Sequence, residues 1–283
     1  VRVLTGSDIT ITSPAFVDTD GYTPTDTDAD PTVTVVSAAG QALTVSAVTD
    51  LTEAGLYTAV IQGLTNPDRL TAVWAGQVDG IDQANTDLVD VAGGTYATLP
   101  ELVALDGINL AVHTPARLVQ LRDQFEDLAE RWTGRAWVPR FATETLWHPA
   151  SPLTRRDARA LLSVVDADDT TLATTGWTIT AWGVVLDADL RSIGFHGQWP
   201  LTIGYTHGQA RPPESLTAAC RDYVRSKALE TGNRIGKDTL SYADPQGGTT
   251  RYSTPDWNAG RPTGLLDVDT ALNGIGRAEP LPS

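Results

Sequence analysis

Apolar positions change their spacing along this chain. From residue 1 to about 90 they recur at every second position in short runs: Val1 and Val3, Ile9 and Ile11, 33–36, 43–48, 57–61 and 70–74. These runs are rich in β-branched and aromatic residues, the mark of half-buried strands. Turn-forming words separate them: Ala39-Gly40, Glu53-Ala54-Gly55, Asn66-Pro67 and Gly76. Strands at this interval predict an all-β domain over 1–90, a small sandwich that is Ig-like in the broad sense, with Tyr57 and Trp74 as core aromatics. Residues 83–97 read as the passage between domains. The linker proper is 91–97, and Gly93-Gly94 is its loosest point.

The spacing then becomes three and four. Thr98 and Glu101 stand as a capping box, which opens a short helix through Leu105 that stops near Gly107. Residues 114–139 predict a long helix: Thr114 as N-cap, Pro115 at the first helical position, and an apolar stripe of Leu118, Leu121, Phe125, Leu128 and Trp132. Arg122, Asp123, Glu126, Asp127 and Glu130 fall largely on the opposite face, Gly134 stops the helix, and Pro139 prevents its resumption. Strand patterns return at 141–147, 160–165, 177–180, 183–186 and 201–205, with acidic turns at 166–169 and 187–189. A second helix spans 214–231, with Leu216, Ala219, Cys220, Tyr223 and Val224 facing inward.

Two helices that bracket about five strands predict an α+β domain over 98–237, a helical frame with a β insertion at 140–206. Regular spacing fails from residue 238, where Tyr242, Tyr252 and Trp257 lie among glycines and prolines. A disordered tail is seldom so aromatic, so 238–283 reads as an extended arm that folds on a neighbour, ended by a short helix. The fold class is therefore multidomain: N-terminal all-β sandwich, α+β domain, C-terminal arm.

Three places resemble one family in order and spacing. The first is the long helix ending Glu130-Arg131-Trp132-Thr133-Gly134-Arg135, followed by an extended Phe/Trp/Pro segment. The second is the strand and turn from Leu201 to Gly208, then Pro212-Pro213 opening a helix, and the third is the short segment 264–273. Over roughly 98–275 the chain resembles the head-to-tail connector (adaptor, or head-completion) proteins of long-tailed double-stranded DNA bacteriophages. The resemblance implies a virion structural protein of the neck. Such a protein forms a homo-oligomeric ring, expected as a dodecamer, beneath the portal protein. It meets a tail-side head-closure (stopper) protein and leaves a channel through which DNA passes without sequence-specific binding. The N-terminal sandwich departs from the minimal family pattern and reads as an outward add-on that could touch the major capsid protein. Candidate subunit and portal contacts are Arg131, Arg135, Arg140, Tyr242, Tyr252, Trp257, Leu265, Leu266, Val268 and Leu272. Aromatic side chains and arginines concentrate in interface cores, and the arginines could pair with a neighbour's acids. The alternative is an Ig-like surface- or carbohydrate-binding virion component, a tail or decoration protein; a hydrolase with the sandwich as accessory domain is a third.

Charge and composition narrow the chemistry. The net charge is −15, and within 1–96 only Arg2 and Arg69 stand against thirteen acids. A phosphate-gripping DNA binder needs a basic stripe, so that class is disfavoured. The balance suits a surface that DNA slides past. No run approaches the about 18 consecutive apolar residues of a membrane span. The first sixteen residues alternate and carry Asp8, unlike a signal peptide, so the chain reads as made and used without Sec export. Cys220 is the only cysteine, and the four histidines have no metal-ligand spacing. His207 reads as a turn residue and not as a base. The aspartates between Asp18 and Asp30 could suggest Ca²⁺, but Pro31 stands where an EF-hand loop needs glycine and no glutamate closes it, so a solvated loop is expected. Gly232 to Asp238 falls one residue short of a P-loop and follows a helix instead of opening one. No catalytic residue, metal or cofactor is assigned, and no enzyme activity is expected.

Overall fold

In the computed structural model the residues described are 2–147, 153–155, 157–175, 177–179, 185–187, 200–229, 241–243, 249–251 and 262–276. They form mixed α and β structure with several sheets and four helices. The chain divides into two compact units. One joins Val1–Gly94 to Val138–Arg211, and the other joins Thr95–Trp137 to Pro212–Ser283. The strands after the long helix thus group with the N-terminal strands, and the helices form a unit of their own.

The first part of the β unit holds β1 (Arg2–Leu4), β2 (Ile9–Thr12), β3 (Thr32–Val36), β4 (Ala42–Leu43), β5 (Thr49–Asp50), β6 (Tyr57–Ile61), β7 (Asp68–Val78) and β8 (Ile81–Ala92). They make a five-stranded sheet in the order β1-β8-β7-β3-β4 and a three-stranded sheet in the order β2-β6-β5. Alternation sets the inner faces, because successive side chains point to opposite sides of a strand. Ile9 and Ile11 from one sheet, Tyr57, Ala59 and Ile61 beside them, and Leu70, Ala72, Trp74 and Val89 from the other share a single core. Phe16, fully buried in the loop after β2, meets the Tyr57 ring edge-on at 5.8 Å. Each buried side chain of this size contributes roughly 1.5–3 kcal/mol.

Three expectations need correction here. The run 43–48 is not one strand: Leu43 pairs with Val35 in the larger sheet, whereas Val45 bridges to Ile61 in the smaller. Gly76 is not a turn but lies within β7, and the reversal comes at Asp79-Gly80, whose φ values are 52° and 75°. Two consecutive left-handed residues fit the tight hairpin that follows the twist of its strands, and Asp-Gly is a preferred pair for it. Residues 83–92 are consequently strand, paired with β7 down to Val91↔Asp68. Gly93 is packed and not loose: its N–H donates to Pro139 O at 2.9 Å, and a Cβ there would stand 2.6 Å from Pro139 Cβ. β1 is parallel to β8 and meets it only at residues 90–92.

The acidic loop uses its carboxylates on backbone N–H groups. Asp20 Oδ1 accepts from Tyr22 at 2.7 Å and Thr23 at 3.0 Å, Asp26 Oδ1 from Gly55 at 2.7 Å, and Asp28 from Asp79 and Gly80 at 3.1 and 2.8 Å. Among the described residues no group of three or more His, Cys, Asp or Glu could hold a metal ion.

The rest of the β unit holds β9 (Arg140–Leu146), β10 (Ala158–Val165), β11 (Thr171–Leu172), β12 (Trp177–Ile179), β13 (Val185–Asp187) and β14 (Leu201–His207). The order β11-β10-β14-β9 is antiparallel throughout, and β12 pairs with β13 alone. Leu146, Val164, Leu201, Ile203 and Tyr205 form its core.

The helical unit contains α1 (Leu99–Val103), α2 (Pro115–Thr133), α3 (Glu214–Leu229) and α4 (Leu266–Ile275), with the two-stranded pair β15 (Ser241–Ala243) and β16 (Thr249–Arg251). Glu101 Oε2 accepts from Thr98 N–H at 2.7 Å and opens α1, which ends two residues earlier than expected. Thr114 Oγ1 caps α2 by accepting from Arg117 N–H at 3.3 Å, and Gly134 ends it with φ 62°. α2 packs against α1, α3 and α4. Among the described residues no helix is long and apolar enough to cross a membrane.

Candidate subunit interface

α2 carries a buried charge network that its sequence assigns to the solvent face. Glu126 is fully buried and Arg122 nearly so. Covering by three helices widens the buried arc beyond the Leu-Phe stripe. Arg122 Nη2 lies 2.8 Å from Asp123 Oδ1 and its Nε lies 3.7 Å from Glu126 Oε1, which also accepts the Tyr96 N–H at 2.7 Å. The Tyr96 and Phe125 rings meet edge-on at 6.1 Å, and Phe125 and Tyr223 lie tilted to each other at 5.4 Å. Leu216, Ala219, Cys220, Tyr223 and Val224 line the inner face of α3 as their spacing predicts. Burial, then the neighbouring Glu126 carboxylate, pushes the Cys220 thiol far above its ordinary value, so it is inert filler.

The outer edge of α3 meets the start of α4 in a groove. Thr263 N–H and Oγ1 donate to Asp269 Oδ1 at 2.9 and 2.7 Å, and Leu265 N–H donates to Thr263 Oγ1 at 3.1 Å. This clamp sets the first turn of α4. Asp222, Arg225 and Leu229 from α3 and Leu265, Leu266 and Asp267 from that turn then line a hollow of about 420 Å³. Leu266 is 64% exposed. Arg225 is committed: it donates from Nη2 to Asp106 Oδ2 and from Nε to Asp106 O, both at 2.9 Å. Asp222 and Asp267 pair with no cation among the described residues.

The candidate contact residues do not gather in one place. Leu265, Leu266 and Val268 line the groove, Val268 at its floor with 1% exposure, while Leu272 is fully buried in its own chain. Arg131 is exposed near the end of α2 and donates to Asp127 O at 3.2 Å; the Arg135 guanidinium lies 5.6 Å from the Trp137 ring centre. Arg140 is only 8% exposed, in β9 of the other unit. Tyr242 stands on β15, and Tyr252 and Trp257 lie outside the described residues, as do Trp182, Trp199, His148 and His196. Missed by sequence reading were Asp222, Arg225 and Leu229. They recur at three and four on α3, a second stripe that lay hidden behind the stronger inward one.

A second polar cluster sits in the β unit. Glu144 accepts from Thr154 N–H at 2.8 Å, Thr154 Oγ1 at 2.7 Å, Arg155 N–H at 3.3 Å and the Tyr205 hydroxyl. Burial raises this carboxyl, but the hydrogen bonds outweigh it and hold it below its ordinary value. Burial and the Glu144 carboxylate push the Tyr205 phenol up, so it donates and does not act as a base. His207 is not a turn residue: it is the last residue of β14, paired with Arg140 of β9 and Ala158 of β10. Burial, with Arg155 and Arg140 nearby, lowers it to about 4. At neutral pH it is uncharged, and the cluster clasps residues 154–155.

No protein-family model matches the chain, and no curated protein matches it. Among solved structures, the neck of an empty GTA particle, computed with C6 symmetry, is similar over 65% of this chain and 89% of that chain, with a TM-score of 0.38 and 15% identity.

Proposed function

We propose that this chain is a structural protein of a phage-like particle neck: a head-to-tail connector whose copies form a ring beneath the portal and join the DNA-filled head to the tail. One observation carries the reading. The three segments that resemble the connector family fall on α2, on β14 with its turn into α3, and on α4, and these three helices pack on one another as a single frame. Pro213 O accepts from Leu216 and Thr217 N–H at 3.0 and 3.1 Å, so the Pro-Pro word opens α3 as the resemblance implies.

The helical frame, α4 included, builds the ring wall, and the part of the C-terminal arm before α4 docks on the portal. The two-sheet core of residues 2–92 supports an Ig-like sandwich that faces outward. The activity is mechanical and electrostatic: repeated contact around an axis, and a net charge of −15 that does not hold DNA. Electron microscopy of particles carrying a tagged copy tests this. Density at the portal vertex in a closed ring is expected, and label at the tail tip or over the capsid faces would sink it.

A further inference from the structure

The groove between α3 and α4 mixes Leu229, Leu265 and Leu266 with Asp222, Arg225 and Asp267, and the same helical unit displays a protruding apolar turn. Between α1 and α2, residues 108–113 form a hydrogen-bonded turn. Asn109 O accepts from Val112 and His113 N–H at 2.9 and 2.7 Å, and Asn109 Oδ1 accepts from Ala111 N–H at 2.9 Å. The turn is preformed, yet it holds Leu110 and Val112 out in water at 48% and 71% exposure. Immediately after it comes Arg117, exposed, bonded to Gln120 Oε1 at 2.7 Å and paired with no acid among the described residues. The turn thus offers an apolar knob beside a cation with no acidic partner among the described residues. The groove offers Leu229, Leu265 and Leu266 beside Asp222 and Asp267, carboxylates that pair with no cation among the described residues.

We propose that the turn of one copy seats in the α3–α4 groove of the next copy. Leu110 and Val112 lie against Leu229, Leu265 and Leu266, and Arg117 faces Asp222 and Asp267. Within its own chain the base of the turn is tied to α3 through Asp106 and Arg225, while Leu110 and Val112 at its tip are left exposed. Knob and groove differ in shape and charge, so the contact is heterologous and each copy supplies both halves. A preformed turn loses little freedom on docking, which favours a small contact repeated many times. The proposal rests on the reading of the chain as a self-assembling ring subunit and names the contact.

The test uses the full chain with Val112→Cys and Leu266→Cys, both at exposed positions, and a short bismaleimide. The native Cys220 is buried and stays silent. Mixing the two single variants is expected to give a 112–266 cross-link by mass spectrometry, and the double variant is expected to give a ladder beyond two copies. Arg117→Glu should lower the yield at least fivefold at low salt, and adding Asp222→Lys and Asp267→Lys should restore it. A product that stops at two copies would overturn the head-to-tail arrangement. Rings seen by electron microscopy without any 112–266 link would overturn this contact and leave the ring reading intact. A chain that neither links nor self-associates would overturn both.

Discussion

Glu126 shows how one side chain decides the cost of a position. It is fully buried, it accepts the Tyr96 N–H, and it faces Arg122. Glu126→Ala leaves the buried Tyr96 N–H without this acceptor, at a cost of about 1–3 kcal/mol, and removes one of the two carboxylates beside Arg122, which keeps its bonds to Asp123. Glu126→Gln keeps an acceptor and should cost visibly less; urea unfolding of both variants at neutral pH checks the order. His207 gives a pH dependence of known sign. Its folded value is about 4 against an ordinary 6.5. Between those values the unfolded chain takes up a proton that the folded chain refuses, so its share of stability is whole above 6.5 and is lost as pH falls toward 4. Residual solvent exposure screens the effect to about 2 kcal/mol. The drop in urea midpoint between pH 7 and pH 4.5 should be smaller in His207→Gln than in the parent; an equal drop would contradict it. Gly55 has φ 74°, and a Cβ there would stand 2.5 Å from Phe16 O. Gly55→Ala should destabilise by more than the about 1–2 kcal/mol of left-handed strain alone.

Local chemistry made α2 legible before any coordinate. Thr114, Pro115, the Leu118-Leu121-Phe125 stripe and Gly134 set its ends and its inner face. What the stripe could not give was the width of the buried arc, because that depends on how many neighbours cover the helix. Arg122 and Glu126 sit beside the stripe and become interior only when α1, α3 and α4 close over it. In the β unit Asp79-Gly80 is a readable hairpin word, but Gly76 stands before it and breaks the alternation, so the sequence pattern alone shortens β7 and makes β8 resemble a linker. The groove was not legible at all, since its two walls come from segments about forty residues apart that meet only after α4 docks. That docking hangs on one carboxylate. Asp269→Ala removes the acceptor for Thr263 N–H and Oγ1, and each buried donor left unmet costs about 1–3 kcal/mol. Faster amide exchange across residues 263–268 is expected, with exchange in the middle of α2 changed far less.

The acidic balance of the whole chain sets what it should leave alone. The chain carries −15 overall, and before residue 97 only Arg2 and Arg69 stand against thirteen acids, so the balance does not favour displacing the counterions of a duplex. Gel-shift titration at near-physiological salt should show no retardation of double-stranded DNA, and a salt-sensitive shift would contradict a passive channel wall. Arrangement along the chain has a further outcome. β1 closes its sheet against residues 90–92, and the helical unit takes its core from residues 95–137 and again from beyond 212, down to Val268 and Leu272. Pairings this distant in sequence form late and all together. On the ribosome, α2 therefore waits with an uncovered apolar flank until more than a hundred further residues have emerged, and a prematurely terminated product lacks α4 and with it one wall of the groove. The order of synthesis itself thus postpones the groove until the chain is nearly finished.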